Sequence, residues 1–343
     1  MNRIKIAQFG LGPIGIEALK LAAQQPWIEI VGAVDNAADK AGRSLTEITG
    51  AAALDGLKVS RDLEELFRET PPELILHTAT SSALAALRQM RPALEFGVSV
   101  ASTCEELIFP SLKAPQLVKE FDGLCRHTGA RVVATGVNPG FVMDVLPVCL
   151  TAVSRAVDKI EVTRVVNASP RRQPLQAKIG SGQAPDSFRE KLLDGRAGHA
   201  GLRESLALVA HAMGWKLDSI AEVGEPVVAG REIRTQFFHV RPGEVCGIHQ
   251  RAVGLIGDAE KLVLEIAMYL DAPDPRDHIL VIGRPPLDVL IQGGVAGDDA
   301  TVAALVNVVP QLLAAAPGLH LPTDLALPRW SSGVDAASRK PRV

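Results

Sequence analysis

Along the first 140 positions, apolar residues arrive in short unbroken runs separated by stretches at helical spacing. Ile4 to Phe9 is the first run; Ile16, Leu19 and Ala23 then recur at helical intervals until Pro26 stops them. Trp27 to Val34, Leu74 to Ala79, Val98 to Ser102 and Arg131 to Ala134 repeat the strand signal. Helical patterns over Asp62 to Arg68, Ser82 to Met90 and Pro115 to His127 lie between them. Parallel strands need crossovers of that length, so the alternation predicts a doubly wound parallel sheet.

After Asn138-Pro139-Gly140 the rhythm changes. Lys159 to Val166 alternates polar and apolar residues, as a half-exposed strand does. Ser219 to Val228, Glu232 to Val240, Ala252 to Leu255, Lys261 to Ala267 and His278 to Ile282 read as further strands of antiparallel type, with one strong helix over Arg203 to Met213. The fold class expected is therefore α/β: an N-terminal Rossmann sheet followed by a second α+β domain, an open mixed sheet with helices on one side. A last helix, Ala300 to Ala316, starts after Asp298-Asp299 and is expected to pack back on the first domain. The division that follows is residues 1–140 plus 299–330 for the dinucleotide-binding domain, 141–298 for a substrate and dimerisation domain, and a polar tail over 331–343.

Bulk numbers narrow the function classes. With 343 residues, 47% of them hydrophobic, the chain exceeds one ordinary core and suits two domains. The formal charge of −3 comes without a concentrated basic face, which argues against a nucleic-acid partner. The four cysteines, Cys104, Cys125, Cys149 and Cys246, are far apart and suggest neither a disulfide framework nor a zinc site. Met1 to Ile6 runs straight into a strand rather than a signal peptide, and Ala300 to Leu319 is interrupted by Asn307, Pro310, Gln311 and Pro317, so no membrane span is expected. The simplest compartment is the cytoplasm.

The sharpest motif is Gly10-Leu11-Gly12-Pro13-Ile14-Gly15, which follows a strand and opens a helix. An acid, Asp35, stands about 20 residues on, which completes the dinucleotide fingerprint. Gly10 permits the tight turn, Gly12 lets the backbone approach a pyrophosphate, and Gly15 allows helix and strand to pack closely. Asp35 ends the second strand, where a carboxylate binds both ribose hydroxyls and repels a 2′-phosphate. Lys40 and Arg43 lie close enough downstream to accept such a phosphate, so either NAD or NADP is expected, with NAD favoured. Thr78, Thr80 and Ser81 should border the ribose–nicotinamide side, although Ser and Thr there also serve as helix caps.

No H-E-x-x-H, P-loop or G-x-S-x-G occurs, and the eight histidines show no ligand spacing, so no metal is expected. Hydride transfer needs only a positioned carbon, a group to manage the proton, and donors that fix the substrate. Val98 to Leu107 offers that group: Glu105 lies at the carboxyl edge of its strand, the ligand-binding edge of such sheets. Glu105 and Glu106 read equally well as acids in a helix's first turn, and spacing alone leaves a tie.

Three segments together resemble one family. They are Ser102-Thr103-Cys104-Glu105-Glu106-Leu107, Thr135-Gly136-Val137-Asn138-Pro139-Gly140-Phe141-Val142-Met143-Asp144, and Asn167-Ala168-Ser169-Pro170-Arg171-Arg172 running to Lys178-Ile179-Gly180-Ser181-Gly182. With Gly198 to Ser205 and Pro317-Gly318-Leu319, they are similar to the 2,4-diaminopentanoate dehydrogenase family and the related native amine dehydrogenases, cousins of dihydrodipicolinate reductase. The paired histidines and the Lys-x-Asp-Ala-Pro-Ser-Gly-Thr stretch of the reductases proper are missing, which disfavours reduction of their cyclic imine.

The resemblance implies NAD(P)-linked oxidative deamination of a primary amine to a ketone and ammonia, or the reverse. It implies that Glu105 handles the amine proton, with Glu106 as fallback, and that Ser102 belongs to the cofactor edge. Asn138 resembles the residue that bonds the nicotinamide amide; Phe141 and Met143 would shape the pocket near the reacting carbon. From their place after the second domain's strand, Arg171, Arg172 and Lys178 read equally as partners of a substrate carboxylate or the cofactor phosphates and as an exposed basic loop, and His199 reads as a substrate contact or a structural histidine. A homodimer joined through the second domain's sheet is implied as well. Two other readings stay open: an imine or ketone reductase on the same fold, and a dinucleotide-binding sensor without turnover.

Overall fold

The computed structural model describes residues 3–331. The chain divides into two units, one holding the sequence up to Gly140 and again from Ala296, the other Phe141–Val295.

In the first unit, β1 (Ile4–Phe9) leads through the glycine turn into α1 (Pro13–Ala23), followed by β2 (Ile28–Val34), α2 (Leu45–Thr49) and β3 (Val59–Ser60). Then come α3 (Leu63–Glu69), β4 (Leu74–His77), α4 (Ala83–Glu95), β5 (Ser99–Ser102), α5 (Pro115–Thr128) and β6 (Arg131–Ala134). The second unit runs through α6 (Val145–Leu150), β7 (Ala156–Asn167), α7 (Gln173–Lys178), α8 (Pro185–Leu193), α9 (Leu202–Ala212) and β8 (Ser219–Val228). It continues with β9 (Ile233–Arg234), β10 (His239–Val240), β11 (Val245–Ile256), β12 (Ala259–Tyr269), β13 (Arg276–Arg284) and β14 (Leu287–Gln292). The chain then rejoins the first unit through α10 (Gly297–Asn307), α11 (Val309–Ala314) and β15 (Gly318–His320).

The seven strands of the first unit pair in parallel, in the order β15-β6-β5-β4-β1-β2-β3. Strand order reverses between β1 and β4, and the crevice at such a reversal is where doubly wound sheets bind ligands. One face carries Ile6, Leu74, Leu76, Ala101 and Val133 against Ala18 and Ala22 of α1 and Val302, Leu305, Val309 and Leu312 of α10 and α11. Helices α3, α4 and α5 lie against β2, β5 and β6 on the other side. The last helix departs from expectation: Val308 ends α10, and Pro310, whose nitrogen has no proton to donate, starts a separate short helix. The expected tail from 332 onward lies outside the described residues.

The second unit is a six-stranded sheet in the order β14-β13-β7-β12-β11-β8. Every pairing is antiparallel except β12 with β7, so the sheet is mixed. Glu232 to Val240 is not one strand but a hairpin of two short ones. Its turn is held by Thr235 Oγ1, which accepts from the N–H groups of Phe237 and Phe238. Helices α7, α8 and strand β14 had no strong periodic signal; β14 alternates half-buried and exposed positions at the sheet edge. On one face Ile160, Leu262, Leu264, Ile266 and Ile279 are buried beneath the helices, with α9 over β11 and β12 and α8 against β8. Side chains across the opposite face run Val223, Arg251, Glu265, Thr163, His278 and Leu290 in register, with Val223 and Leu290 exposed.

Candidate functional site

The turn after β1 is built from beneath by polar groups. Gln8, fully buried within the strand, donates through Nε2 to Thr78 Oγ1 (2.8 Å) and to the Gly10 carbonyl (3.0 Å), and Thr78 Oγ1 donates to that carbonyl as well (3.0 Å). Gly10 has φ of +89°, and a Cβ on Gly15 would stand 1.9 Å from the Gly10 oxygen, so both positions require glycine. A Cβ at Gly12, by contrast, would meet nothing within 4 Å. Gly12 is the N-cap of α1 and supplies no side-chain cap; Pro13 at the first turn has no N–H. The first backbone bond into the helix is Ile16 N–H to the Gly12 carbonyl, which leaves the N–H groups of Ile14 and Gly15 without a backbone acceptor. Open space, free donors and the positive end of a helix dipole converge there, which fits a dinucleotide pyrophosphate.

Asp35 closes the same crevice. Its Oδ2 accepts from Leu11 N–H (2.8 Å) and from Lys40 Nζ (3.2 Å), and its Oδ1 accepts from Ala37 N–H (2.9 Å). Partial burial works to raise its pKa, but the Ala37 and Leu11 N–H groups and the Lys40 ammonium outweigh it and hold the carboxyl below its ordinary value. Thr80 Oγ1 accepts from Ser82 N–H and so caps the turn before α4, and Ser81 offers its carbonyl to Glu106 N–H.

At the ends of β4 and β5 lies a network that the sequence reading passed over. His77 is 1% exposed; its Nε2 meets Gln89 Oε1 of α4 and its Nδ1 meets Ser102 Oγ, each at 2.9 Å. With Nε2 donating to the amide oxygen, Nδ1 accepts the Ser102 hydroxyl, whose oxygen accepts Cys104 N–H (3.1 Å). Burial pushes the imidazole down to about 4, so it is neutral at neutral pH. The Ser102 hydroxyl, expected at the cofactor edge, bonds His77 and Cys104 N–H at the end of β5. A polar residue interrupting each of the apolar runs Ile4–Phe9 and Leu74–His77 was the available signal for Gln8 and His77.

Beyond Ser102 the two acids separate. Glu106 Oε2 accepts from Ala83 N–H at the start of α4 (2.9 Å), and Oε1 pairs with Lys113 (2.6 Å). Glu105, half-buried at the first position of a short 3-10 turn, makes no hydrogen bond or ion pair with its carboxylate among the described residues. Asn138 sits in the tight turn after β6, where Val137 N–H donates to Thr301 Oγ1 and a Cβ on Gly140 would collide with Gly136 N at 2.4 Å.

In the second unit, Phe141 is half-buried and Met143 fully buried. Arg171 belongs to a turn propped by buried Gln176, whose Nε2 donates to the carbonyls of Ser169 (2.9 Å) and Arg171 (2.7 Å). Arg172 and Lys178 flank the helix that follows, Lys178 exposed. The carboxamide of Gln250 clasps the backbone of His199, accepting from its N–H (2.6 Å) and donating to its carbonyl (3.3 Å). The His199 ring keeps some solvent exposure, yet desolvation and the nearby Lys178 and Arg164 cations push it down to about 3. Among the described residues, no group of three or more His, Cys, Asp or Glu is placed to hold a metal ion, and no helix is long and apolar enough to cross a membrane.

A parallel sheet in this order, with a glycine turn and a strand-end acid at its reversal point, defines a Rossmann-type dehydrogenase fold of the dihydrodipicolinate reductase kind. Consistent with that, the dihydrodipicolinate reductase of Paenisporosarcina sp. TG-14 superposes with a TM-score of 0.53 at 13% identity, over 93% of this chain and 97% of that one. The model of the 2,4-diaminopentanoate dehydrogenase C-terminal domain matches residues 141–339, and the chain belongs to that family. The 2,4-diaminopentanoate dehydrogenase of Acetoanaerobium sticklandii is 28% identical over 97% of this chain and 96% of its own length. The amine dehydrogenase of Mycobacterium smegmatis has the same fold, with a TM-score of 0.85 at 22% identity, over 96% of this chain and 98% of that one.

Proposed function

We propose that this chain is an NAD(P)-dependent amine dehydrogenase, oxidising a primary amine to a ketone and ammonia and running the reverse reductive amination. The bound nicotinamide supplies the hydride acceptor. The protein's part begins with a proton, because an ammonium has no lone pair with which to expel hydride. Glu105 takes that proton through its carboxylate, the amine nitrogen pushes hydride out, and the resulting iminium adds water. The water adduct gives one proton to solvent, Glu105 returns its proton to the nitrogen, and collapse expels ammonia and leaves the ketone as the second water proton departs to solvent. The observation that carries this assignment is the contrast between the two acids: Glu106 is committed to Ala83 and Lys113, whereas the Glu105 carboxylate is unspent.

Gly10 to Gly15, Asp35, Thr80, Ser81 and Asn138 are assigned to the cofactor, and Phe141, Met143, Arg171 and His199 to the substrate. We further assign the exposed sheet face bearing Val223, Ile282 and Leu290 to a second copy of the chain, testable by light scattering. A cytoplasmic setting accords with four unpaired cysteines.

The test is cofactor reduction, followed by absorbance, with a panel of primary amines and matching alcohols. Signal from amines alone, lowered by about 10²- to 10⁴-fold in Glu105→Gln with cofactor binding retained, is the expected outcome. Ketone reduction that proceeds without ammonia would favour the reductase reading, and silence from every amine would sink the amine assignment.

A further inference from the structure

His199 stands in the stretch that joins α8 to α9, and glycines bracket its backbone. Gly198 and Gly201 both have left-handed φ, +98° and +97°. Glycine restrains the chain less than any other residue, so a side chain carried there needs an outside anchor to hold one direction. On the α8 side Ala197 N–H donates to the Lys191 carbonyl (3.1 Å), and on the α9 side Ser205 N–H donates to the Gly201 carbonyl (2.9 Å). His199, between them, is gripped from the sheet.

The grip is Gln250 of β11, a buried polar residue in a row that runs Gly224, Gln250, Ile266 and Arg164 across the sheet. Glycine makes room for its carboxamide on two sides: a Cβ on Gly224 would stand 3.2 Å from Gln250 Cγ, and one on Gly198 3.0 Å from Oε1. Oε1 accepts His199 N–H (2.6 Å), while Nε2 donates to Glu222 Oε1 of β8 (3.0 Å) and more weakly to the His199 carbonyl (3.3 Å). Only one of the two amide orientations can meet an N–H at one end and a carboxylate at the other. Desolvation, with the Lys178 and Arg164 cations alongside, pushes the His199 ring down to about 3, so it is neutral at neutral pH. A neutral ring binds through a directional hydrogen bond, which weakens steeply once its angle is lost.

We propose that Gln250, oriented in turn by Glu222, is a positioning residue that sets the angle at which His199 meets the substrate. The inference rests on the assignment of His199 to the substrate of the amine site. Gln250 acts through the His199 backbone, so its loss falls on substrate affinity and not on hydride transfer. Glu222 acts one step further out, by keeping the carboxamide from turning over.

The experiment is steady-state kinetics on the full chain at saturating cofactor, with 2-aminobutane or whichever primary amine reduces the cofactor fastest, paired with amide hydrogen exchange over residues 194–201. Gln250→Met, close in size and without the amide, should raise KM by about five- to thirtyfold, keep kcat within about threefold, and speed exchange in that stretch. His199→Ala should raise KM by a similar factor, and adding Gln250→Met to it should change KM by less than about twofold, because the grip then positions nothing. Gln250→Glu alone sets two carboxylates against each other and should also raise KM. Adding Glu222→Gln restores a donor facing an acceptor and should return KM to within about threefold of the wild type. That pair carries the test if melting curves show Gln250→Met unfolded. Faster exchange with unchanged KM, or an equal rise in KM with and without His199, overturns the proposal. Unchanged KM in His199→Ala overturns the assignment of His199 to the substrate, and turnover of no amine overturns the amine assignment; either takes the proposal with it.

Discussion

Acid should loosen the first unit through one residue, His77. The ring is fully buried, with Ser102 on one nitrogen and Gln89 on the other, and its pKa is held at about 4 against an ordinary 6.5. The unfolded chain therefore takes up a proton near pH 6.5 that the folded chain refuses until pH falls to about 4. Between those values the unfolded state binds more protons, so stability falls as pH falls; the contribution is intact above the unfolded pKa. Linkage over that interval gives a loss of about 2 kcal/mol between about pH 7 and pH 5, approaching about 3 kcal/mol near pH 4. Because the ring is almost wholly out of solvent, no discount for screening applies. His77→Asn isolates the effect, since its amide can accept the Ser102 hydroxyl but cannot titrate. Urea unfolding should show the variant less stable at neutral pH and flatter on acidification, by about the 2 kcal/mol that the wild type loses. His199 titrates in the same direction in the second unit and is common to both proteins. Parallel pH profiles for wild type and His77→Asn would refute the argument that this ring is excluded from charging.

Two other substitutions separate structure from chemistry. Glu106→Gln removes the charged acceptor for Ala83 N–H and the partner of half-exposed Lys113; it should lower stability by about 1 kcal/mol and leave turnover within about threefold, so a large loss of turnover without loss of stability would reassign the base. Asp277 is fully buried, accepting from Arg164 Nη1 (2.6 Å) and from Val295 N–H (2.7 Å). Asp277→Leu strands the buried guanidinium and should cost about 3–5 kcal/mol in denaturant unfolding, most of it recovered in the double variant with Arg164→Met; a single-variant cost below about 1 kcal/mol would contradict the burial argument.

How far the sequence could be read depended on which physics wrote each element. The first unit was legible because its signals are local: apolar runs for buried parallel strands, glycines where φ is positive or a Cβ would collide, an acid at a strand end. Asn138, Thr80 and Glu105 follow the carboxyl ends of β6, β4 and β5, positions that the strand pattern alone locates. What could not be read were polar side chains whose partners are distant in sequence. His77 meets Ser102 across 25 positions, and Gln8 meets Thr78 across 70. Nothing near either residue announces the bond. The second unit was harder because a sheet with one open face alternates on its edges but not at its centre. The run Val245–Ile256 is buried at eight of its twelve positions without regular alternation, and so only Ala252 to Leu255 of it looked like a strand. The parallel β7–β12 pairing is likewise invisible to local pattern, since it joins strands about a hundred residues apart in the chain, Ile160 beside Leu262.

The same distinction explains why Glu105 and Glu106 tie on paper. Both are acids in a first turn, and both suit a helix dipole. They separate only when α4 brings Ala83 N–H to one of them and Lys113 follows. Ser81 fixes the geometry further by accepting Glu106 N–H, which ties this turn to the one after β4. With Ser102 holding Cys104 N–H from the sheet side, the backbone on both flanks of Glu105 is pinned while its carboxylate is not. A proton-handling group needs that combination: a fixed backbone sets its reach, and an uncommitted carboxylate is free to change partners as the proton moves. Loosening either anchor should therefore cost turnover before it costs cofactor affinity. Ser102→Ala removes the acceptor for Cys104 N–H and the donor to His77 Nδ1 while leaving Glu105 and the glycine turn in place, and melting curves report what the lost His77 bond costs the fold. A fall in turnover with unchanged cofactor binding would fit the argument, and a matched fall in both would count against it.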